Sequence, residues 1–493
     1  MRRSLLAALL AFGAIPASSG QAGPACGLLE GVDDLCPEWT AVYDSAGGQS
    51  VDMGWLNAVS PDGQTVFSVG RTWEQADEAL DWRTIAYSAA TGAVRWTRIH
   101  DGAKRSWDWP GAMAMSPDGS TVYIGGTVGN DLYLDGDYGI VAYDAATGAT
   151  RWETVYDHNE GGVEELHGMQ LAPDGTRIYV TGENGTEYAP DYVTVAVDAA
   201  TGGVAWSREY AAKENGLDFG VSVSVGQVPV PEGEPPRHVV YVTGASTAAS
   251  LDHATVAYDH DGEVLWIARV DGGVGEDNGL YNALSPDGST LYVSGDVTVG
   301  PAAAGYDFDW RTYALDTASG AVRWSNSYSG TRPGLDRPMA LELAPDGSKV
   351  YVSGVVVGDH DQDKDIAVVA YHTGTGAQAW ENPTGLPHPG SEWGVALDVS
   401  PDGSLLAMGG VRSTGTGYRS DAVAELYDTD DGSRLAVSDF FSGPTPVEAA
   451  MTRDIAFGPS GKRLFITGHT ERYLDGGIPG GDMDMFTAAY ELE

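Results

Sequence analysis

Residues 137–152 read DYGIVAYDAATGATRW, and close copies return along the whole chain. Each copy opens on an Asp and places an aromatic or aliphatic residue six positions later: Asp81/Tyr87, Asp137/Tyr143, Asp191/Val197, Asp252/Tyr258, Asp309/Leu315, Asp365/Tyr371, Asp421/Tyr427 and Asp484/Tyr490. A Thr-Gly, Ser-Gly or Asp-Gly turn follows, with a Trp four residues past the glycine at Trp96, Trp152, Trp206, Trp266, Trp324 and Trp380; the seventh copy has Ala436 there. Upstream of the copies, Ser/Ala-Pro-Asp-Gly turns begin at Ser60, Ser116, Ala172, Ser285, Ala344 and Ser400, and a degraded one at Gly458. Each leads into a short strand ending in glycine, such as TVYIGG or KVYVSG, and an eighth such strand, VVYVTG, follows VPVPEGEPPRH instead.

Four strands per unit with turn chemistry between them, at a period of 54 to 63 residues, predict a β-propeller. A lone four-stranded blade cannot bury its faces, so blades pack around an axis. The eighth unit stops at Glu493 without a fourth strand, while PEWTAVYDSAGG (37–48) is a fourth strand without the preceding three. The expectation is an all-β, eight-bladed propeller of four-stranded antiparallel blades over 37–493, closed by an N-terminal strand that completes the C-terminal blade and removes two sheet edges. A Trp at a fixed place in nearly every fourth strand reads as packing between blades, since a ligand platform needs only one copy.

The chain opens MRRSLLAALLAFGAIPASSGQA, a basic start, an apolar run and a small-residue end, which predicts a signal peptide over 1–22 and a secreted or periplasmic protein with no membrane insertion. A short segment, 23–36, carries the chain's two cysteines, Cys26 and Cys36, expected to form one local disulfide in an oxidising compartment. The formal charge of −43, or −45 once Arg2 and Arg3 leave with the signal peptide, makes nucleic acid and anionic membranes poor partners. A monomer is expected.

The run Ala142-Tyr143-Asp144-Ala145-Ala146-Thr147-Gly148-Ala149-Thr150-Arg151-Trp152 resembles the tryptophan-docking motif of the eight-bladed quinoprotein-type, or PQQ-like, propellers. The combination with the Pro-Asp-Gly strands is similar to the bacterial SBBP-type repeat, and the likeness covers Trp39 to Glu493. It implies the architecture; such propellers range from dehydrogenases to non-catalytic assembly factors. Enzymes of that group resemble one another in holding the quinone against adjacent cysteines with calcium beside it. Here both cysteines precede the propeller and are not adjacent, so PQQ is not expected and no cofactor follows from the sequence. For calcium, Asp359, Asp361, Asp363 and Asp365 alternate as in a calcium loop, although Lys364 and Ala370 occupy the positions where an EF-hand needs Gly and Glu.

A second acid precedes the first strand of seven units: Asp52, Asp108, Glu164, Asp218, Asp277, Asp336 and Glu392. Aromatics follow several of these acids or the third-strand Asp residues directly: Trp82, Trp109, Tyr138, Tyr192, Phe219, Trp310 and Trp393. First and third strands begin on one face of a propeller, so the acids and aromatics crowd one rim. Repeated Asp side chains also brace loop-to-strand corners by accepting backbone N–H bonds. The functional expectation is a non-catalytic propeller that binds a protein, glycan or cationic ligand on this acidic-aromatic rim. The alternative is a secreted enzyme, either a quinoprotein-like dehydrogenase or a hydrolase or lyase using rim carboxylates with His167 or His253.

Overall fold

In the computed structural model the described residues are 33–492, apart from the segments 46–49, 75–78, 103–106, 132–134, 159–161, 187–188, 214–215, 229, 232, 273–274, 303–304, 359–363, 384–391, 414–419, 441–448 and 475–477. The signal peptide, Cys26 and three of the four calcium-loop aspartates lie outside them. Cys36 is held in a disulfide.

Blade 1 shows the pattern. Its strands Asp52–Val59, Thr65–Glu74, Ala79–Ser88 and Val94–His100 form an antiparallel meander. Six more blades repeat it, with first strands Trp109–Met115, Val163–Leu171, Asp218–Val228, Asp277–Leu284, Arg337–Leu343 and Trp393–Val399. Blade 8 runs Ala449–Phe457, Arg463–Leu474 and Ile478–Glu491, and its fourth strand is Pro37–Tyr43, paired from Trp39↔Ala489 to Tyr43↔Met485. Each first strand packs against the next blade's first strand, and that of blade 8 returns to that of blade 1. The ring is closed with the first strands innermost.

Every first strand contains a bulge, between Gly54 and Leu56 in blade 1 and between Leu166 and Gly168 in blade 3, for example. The unpaired residue of a bulge is re-aimed relative to its strand, so the bulges decide which side chains turn to the axis.

The recurring Trp is the joint between blades. Trp96 donates its indole N–H to the carbonyl of Ala145 in the following blade at 2.9 Å and packs between Phe67 and Tyr143 at 5.8 and 6.0 Å. Trp39, Trp152, Trp206, Trp266, Trp324 and Trp380 make the same bond to Ala89, Ala199, His260, Thr317, Thr373 and Thr429. The indole lies flat on the next Thr-Gly turn: a Cβ at Gly148, whose φ is +68°, would meet the Trp96 ring at 2.6 Å. Glycine is needed there for conformation and for space. Gly148→Ala should therefore cost about 1–3 kcal/mol in a denaturant titration; an unchanged midpoint would mean that the joint does not depend on this contact.

Ala436 replaces the Trp in blade 7 for a reason visible in the ring. Its docking partner would be the turn between the third and fourth strands of blade 8, but no turn joins them, because the third, Ile478–Glu491, and the fourth, Pro37–Tyr43, are far apart in sequence. The segment Asp33–Asp34 covers this joint, pairing in parallel through Asp33↔Ala436 and Asp34↔Val437. Leu35 fills the space beside Ala436 and Leu492.

Candidate functional site

The structure divides the predicted rim residues into two groups. Asp52, Asp108, Asp218, Asp277, Asp336 and Glu392 are buried. They brace corners. Asp108 accepts the Gly102 and Gly129 N–H groups at 2.9 Å each, Asp277 those of Gly272 and Thr298 at 2.6 and 2.9 Å, and Asp336 those of Gly330 and Val357 at 2.6 Å each. Asp52 accepts from Ser45 and Ser50, Asp218 from the Ser246 hydroxyl, and Glu392 faces Arg412 at 3.7 Å. Glu164 is buried as well.

The third-strand aromatics Trp82, Tyr138, Tyr192 and Trp310 are also buried, so they form no exposed ligand face. Each reaches into the following blade, three of them over a glycine inside its second strand, which runs on past the glycine where the sequence pattern ended it: Trp82 over Gly126, Tyr138 over Gly182 and Tyr192 over Gly244. Trp310 donates to the Val355 carbonyl at 3.0 Å. The first-strand aromatics differ. Trp109 is 39 % exposed, and Phe219 and Trp393 are half-buried. Alternation explains the split, because the residue after the acid points between blades on a third strand and toward the axis on a first strand. Asp365 is half-buried at the start of a third strand.

Around Trp109 three blades converge on a cationic cluster that the repeat did not reveal. The Arg71 guanidinium lies 3.6 Å from the Trp109 ring centroid and 5.9 Å from that of Trp55; Arg453 of blade 8 covers the other indole, Trp55, at 4.5 Å. The two indoles meet edge to face at 6.0 Å. No carboxylate among the described residues pairs with either arginine. Arg71 Nη2 reaches only the Met53 sulfur, at 3.2 Å, while Arg71 Nε and Nη1 and Arg453 Nε are buried without partners. His469, 7 % exposed, adds an unpartnered Nδ1. Burial, then the neighbouring Arg453, depresses Arg71 to about 10, and burial with both arginines depresses His469 to about 3. Guanidinium N–H groups left without partners are costly, and nothing among the described residues offsets the two positive charges here. Trp55 and Arg453 are both bulge residues.

On blade 3 the bulge residue is His167. Its Nδ1 donates to the Gly220 carbonyl of blade 4 at 3.0 Å, and its Nε2 lies 3.6 Å from Glu165. Ligand atoms of Glu165, His167 and Glu183 all lie within 4.8 Å of one another. Burial alone would depress His167, but Glu165, Glu183 and the Gly220 carbonyl outweigh it and hold the imidazole above its ordinary value. The hydrogen bond to His167 holds Glu165 low, and burial raises Glu183. His253 is elsewhere: it is buried, stacks on Tyr313 at 5.3 Å and is depressed to about 4 by burial.

The cluster residues sit where the repeats disagree. The position after the second-strand glycine is Arg71, Thr127, Glu183, Ala245, Asp296, Val355, Val411 and His469 in turn. That variation inside a fixed frame was the available signal.

Buried acids shape the pH profile. Burial raises Asp52, Asp336 and Asp398 from 3.8 to about 6, Asp454 to about 7 and Glu342 from 4.5 to about 8. These groups bind protons more tightly folded than unfolded, so their contribution to stability is present below about pH 4 and lost as pH rises through 6 to 8. His253 and His469, depressed from 6.5 to about 4 and about 3, work the other way, their contribution being present above 6.5 and lost as pH falls. With more raised acids than depressed histidines, these groups together should lower the melting temperature steadily as pH rises from 4 to 8 in calorimetry from pH 4 to 9. A peak above pH 8 would contradict these burials.

A family model for PQQ-like repeats, described as outer membrane protein assembly factor BamB, matches residues 48–233 and 191–458. Polyvinylalcohol dehydrogenase of Sphingopyxis sp. (strain 113P3) is 26 % identical over 336 residues, which is 60 % of this chain and 49 % of that protein. The chain thus spans about half the length of the curated relative it matches. Among solved structures, the Dos1 propeller aligns over 91 % of the chain and 95 % of its own length with a TM-score of 0.54 at 11 % identity. Quinohemoprotein alcohol dehydrogenase from Comamonas testosteroni aligns over 92 % and 76 % with a TM-score of 0.51 at 14 % identity. These two share the fold. The expectation of a non-catalytic binding propeller is corrected by the dehydrogenase relative, which favours the enzymatic alternative, and the argument against PQQ from the cysteines loses its force with it. No helix among the described residues is long and apolar enough to cross a membrane. By its repeat, its closed ring and the family model that spans most of its length, the chain belongs to the BamB-type PQQ-like propeller family.

Proposed function

We propose that the protein is an exported dehydrogenase that oxidises alcohol groups with PQQ bound at the axial end where the first strands begin. The reading rests on the Arg71–Arg453 pair. PQQ is a planar aromatic polycarboxylate, and orphaned buried guanidinium N–H groups beside two indoles match that chemistry better than any cation or neutral glycan. Arg71 and Arg453 would hold its carboxylates through charge-assisted hydrogen bonds. Trp55 and Trp109 would flank its ring system and exclude water. When bound, the quinone supplies the two-electron acceptor for alcohol oxidation. His469, kept neutral by burial and both arginines, adds no third charge.

The cysteine pair that covers the ring in the enzymes this chain resembles is missing from the propeller, so Trp109, the more exposed indole, becomes the residue on which the stacking depends. The polyvinylalcohol dehydrogenase relative makes secondary alcohols, including the polymer, the first substrates to try. Reconstitution with PQQ and calcium should yield a stoichiometric quinone spectrum and dye-linked oxidation of a secondary alcohol. Absence of both would overturn the proposal.

A further inference from the structure

We infer that Glu165, His167 and Glu183 form a binding site for a divalent transition ion of the zinc or cobalt class. Glu165 and Glu183 are direct cross-strand partners on the first and second strands of blade 3. Like charges set opposite each other destabilise a sheet, and no other blade pairs carboxylates here: the equivalent pairs are Met53/Arg71, Trp109/Thr127, Phe219/Ala245, Asn278/Asp296, Arg337/Val355, Trp393/Val411 and Met451/His469. The blade 3 pair is therefore a departure from the repeat at the one place where the bulge also delivers an imidazole.

That imidazole is prepared as a ligand. With Nδ1–H given to the Gly220 carbonyl at 3.0 Å, the lone pair of the neutral ring is on Nε2, which faces Glu165. A backbone carbonyl that fixes the tautomer and orientation of a histidine is the usual outer partner of a metal-bound one. The three donor atoms already lie within 4.8 Å of one another, so a small inward turn of the side chains brings them to an ion with ligand distances of about 2.0–2.2 Å. Two oxygens and one nitrogen favour a borderline ion over calcium, which takes oxygen donors. His167 is partly exposed and Glu165 exposed, so an ion can enter from solvent and keep an open position for a further ligand. Among the described residues the other groups of clustered donors, Asp44/Asp482/Asp484, Asp137/Asp157/Glu164 and Asp252/Asp271/Asp277, contain carboxylates only and offer no such selectivity.

The inference stands apart from the quinone, so its test uses the full chain without quinone. Zinc added in a calorimetric titration should bind one equivalent tightly and in preference to calcium, and cobalt(II) should give visible absorption bands that zinc abolishes. His167→Ala and Glu183→Gln should each weaken zinc binding at least tenfold, with circular dichroism spectra matching the parent. Zinc affinity unchanged in both variants, no stoichiometric zinc binding, or calcium bound as tightly as zinc would each overturn the site, and none of these outcomes bears on quinone binding.

Discussion

Deleting residues 37–43 should lower the melting temperature more than any single substitution in a turn, by an expected ten degrees or more. The deleted strand supplies the whole outer edge of blade 8, from Trp39↔Ala489 to Tyr43↔Met485. It also supplies the docking indole of the blade 8 to blade 1 joint, where Trp39 donates to Ala89 at 3.0 Å and lies against Gly92. Removing a large aromatic from such a place costs about 3–5 kcal/mol, and the exposed edge of Ile478–Glu491 would invite aggregation. Trp39→Ala alone should reproduce much of the loss. Trp109→Ala, at an indole that is 39 % exposed, should leave the transition nearly unmoved. Thermal unfolding of the three variants is the measurement, and similar small shifts in all of them would mean that the ring does not depend on its closing strand.

Arg71→Met should separate binding from folding. In the protein without ligand, Arg71 carries a charge that burial and Arg453 both oppose, so replacing it with an apolar side chain of similar length should leave the melting temperature equal or higher. The same substitution removes a charge-assisted clamp from a desolvated site, where truncating one partner costs about 2–5 kcal/mol. Quinone affinity should fall about 100-fold, at 1.4 kcal/mol per factor of ten. Arg98 is the contrasting arginine: its Nε and Nη2 donate to the Gly148 and Thr147 carbonyls of the next blade at 2.6 and 2.9 Å. Arg98→Ala should destabilise the joint and leave quinone affinity intact. If Arg71→Met unfolds the protein while quinone affinity persists, the arginine pair is structural and the proposed site is wrong.

The buried acids teach the same lesson as the arginines from the opposite side. Asp108, Asp277 and Asp336 stand at equivalent places and each accept two backbone N–H groups, which is why the repeat retains a carboxylate there. A residue that recurs in every unit serves what every unit shares, the corner and the joint. Arg71, Arg453, Trp55, His167 and Glu183 each occur once at their repeat position, and each occurs where only one blade needs it.

The sequence by itself determined the blade count, the antiparallel four-stranded unit, the closure by Pro37–Tyr43 and the role of the docking tryptophans. These follow from local chemistry repeated at a fixed period: glycines that turn, alternation along strands, and a fourth strand missing at one end and present at the other. Only the tertiary structure decided which aromatics face the axis and which lie between blades, because Trp82 and Trp109 both follow an acid and differ only in the strand that carries them. It alone brought Arg71, Arg453, Trp55 and Trp109 together from blades 1, 2 and 8. Their meeting depends on ring closure, which places the last blade beside the first, and on bulges that turn single residues toward the axis; neither the distance across the closed ring nor the direction of a bulged side chain is written in the spacing of the repeat.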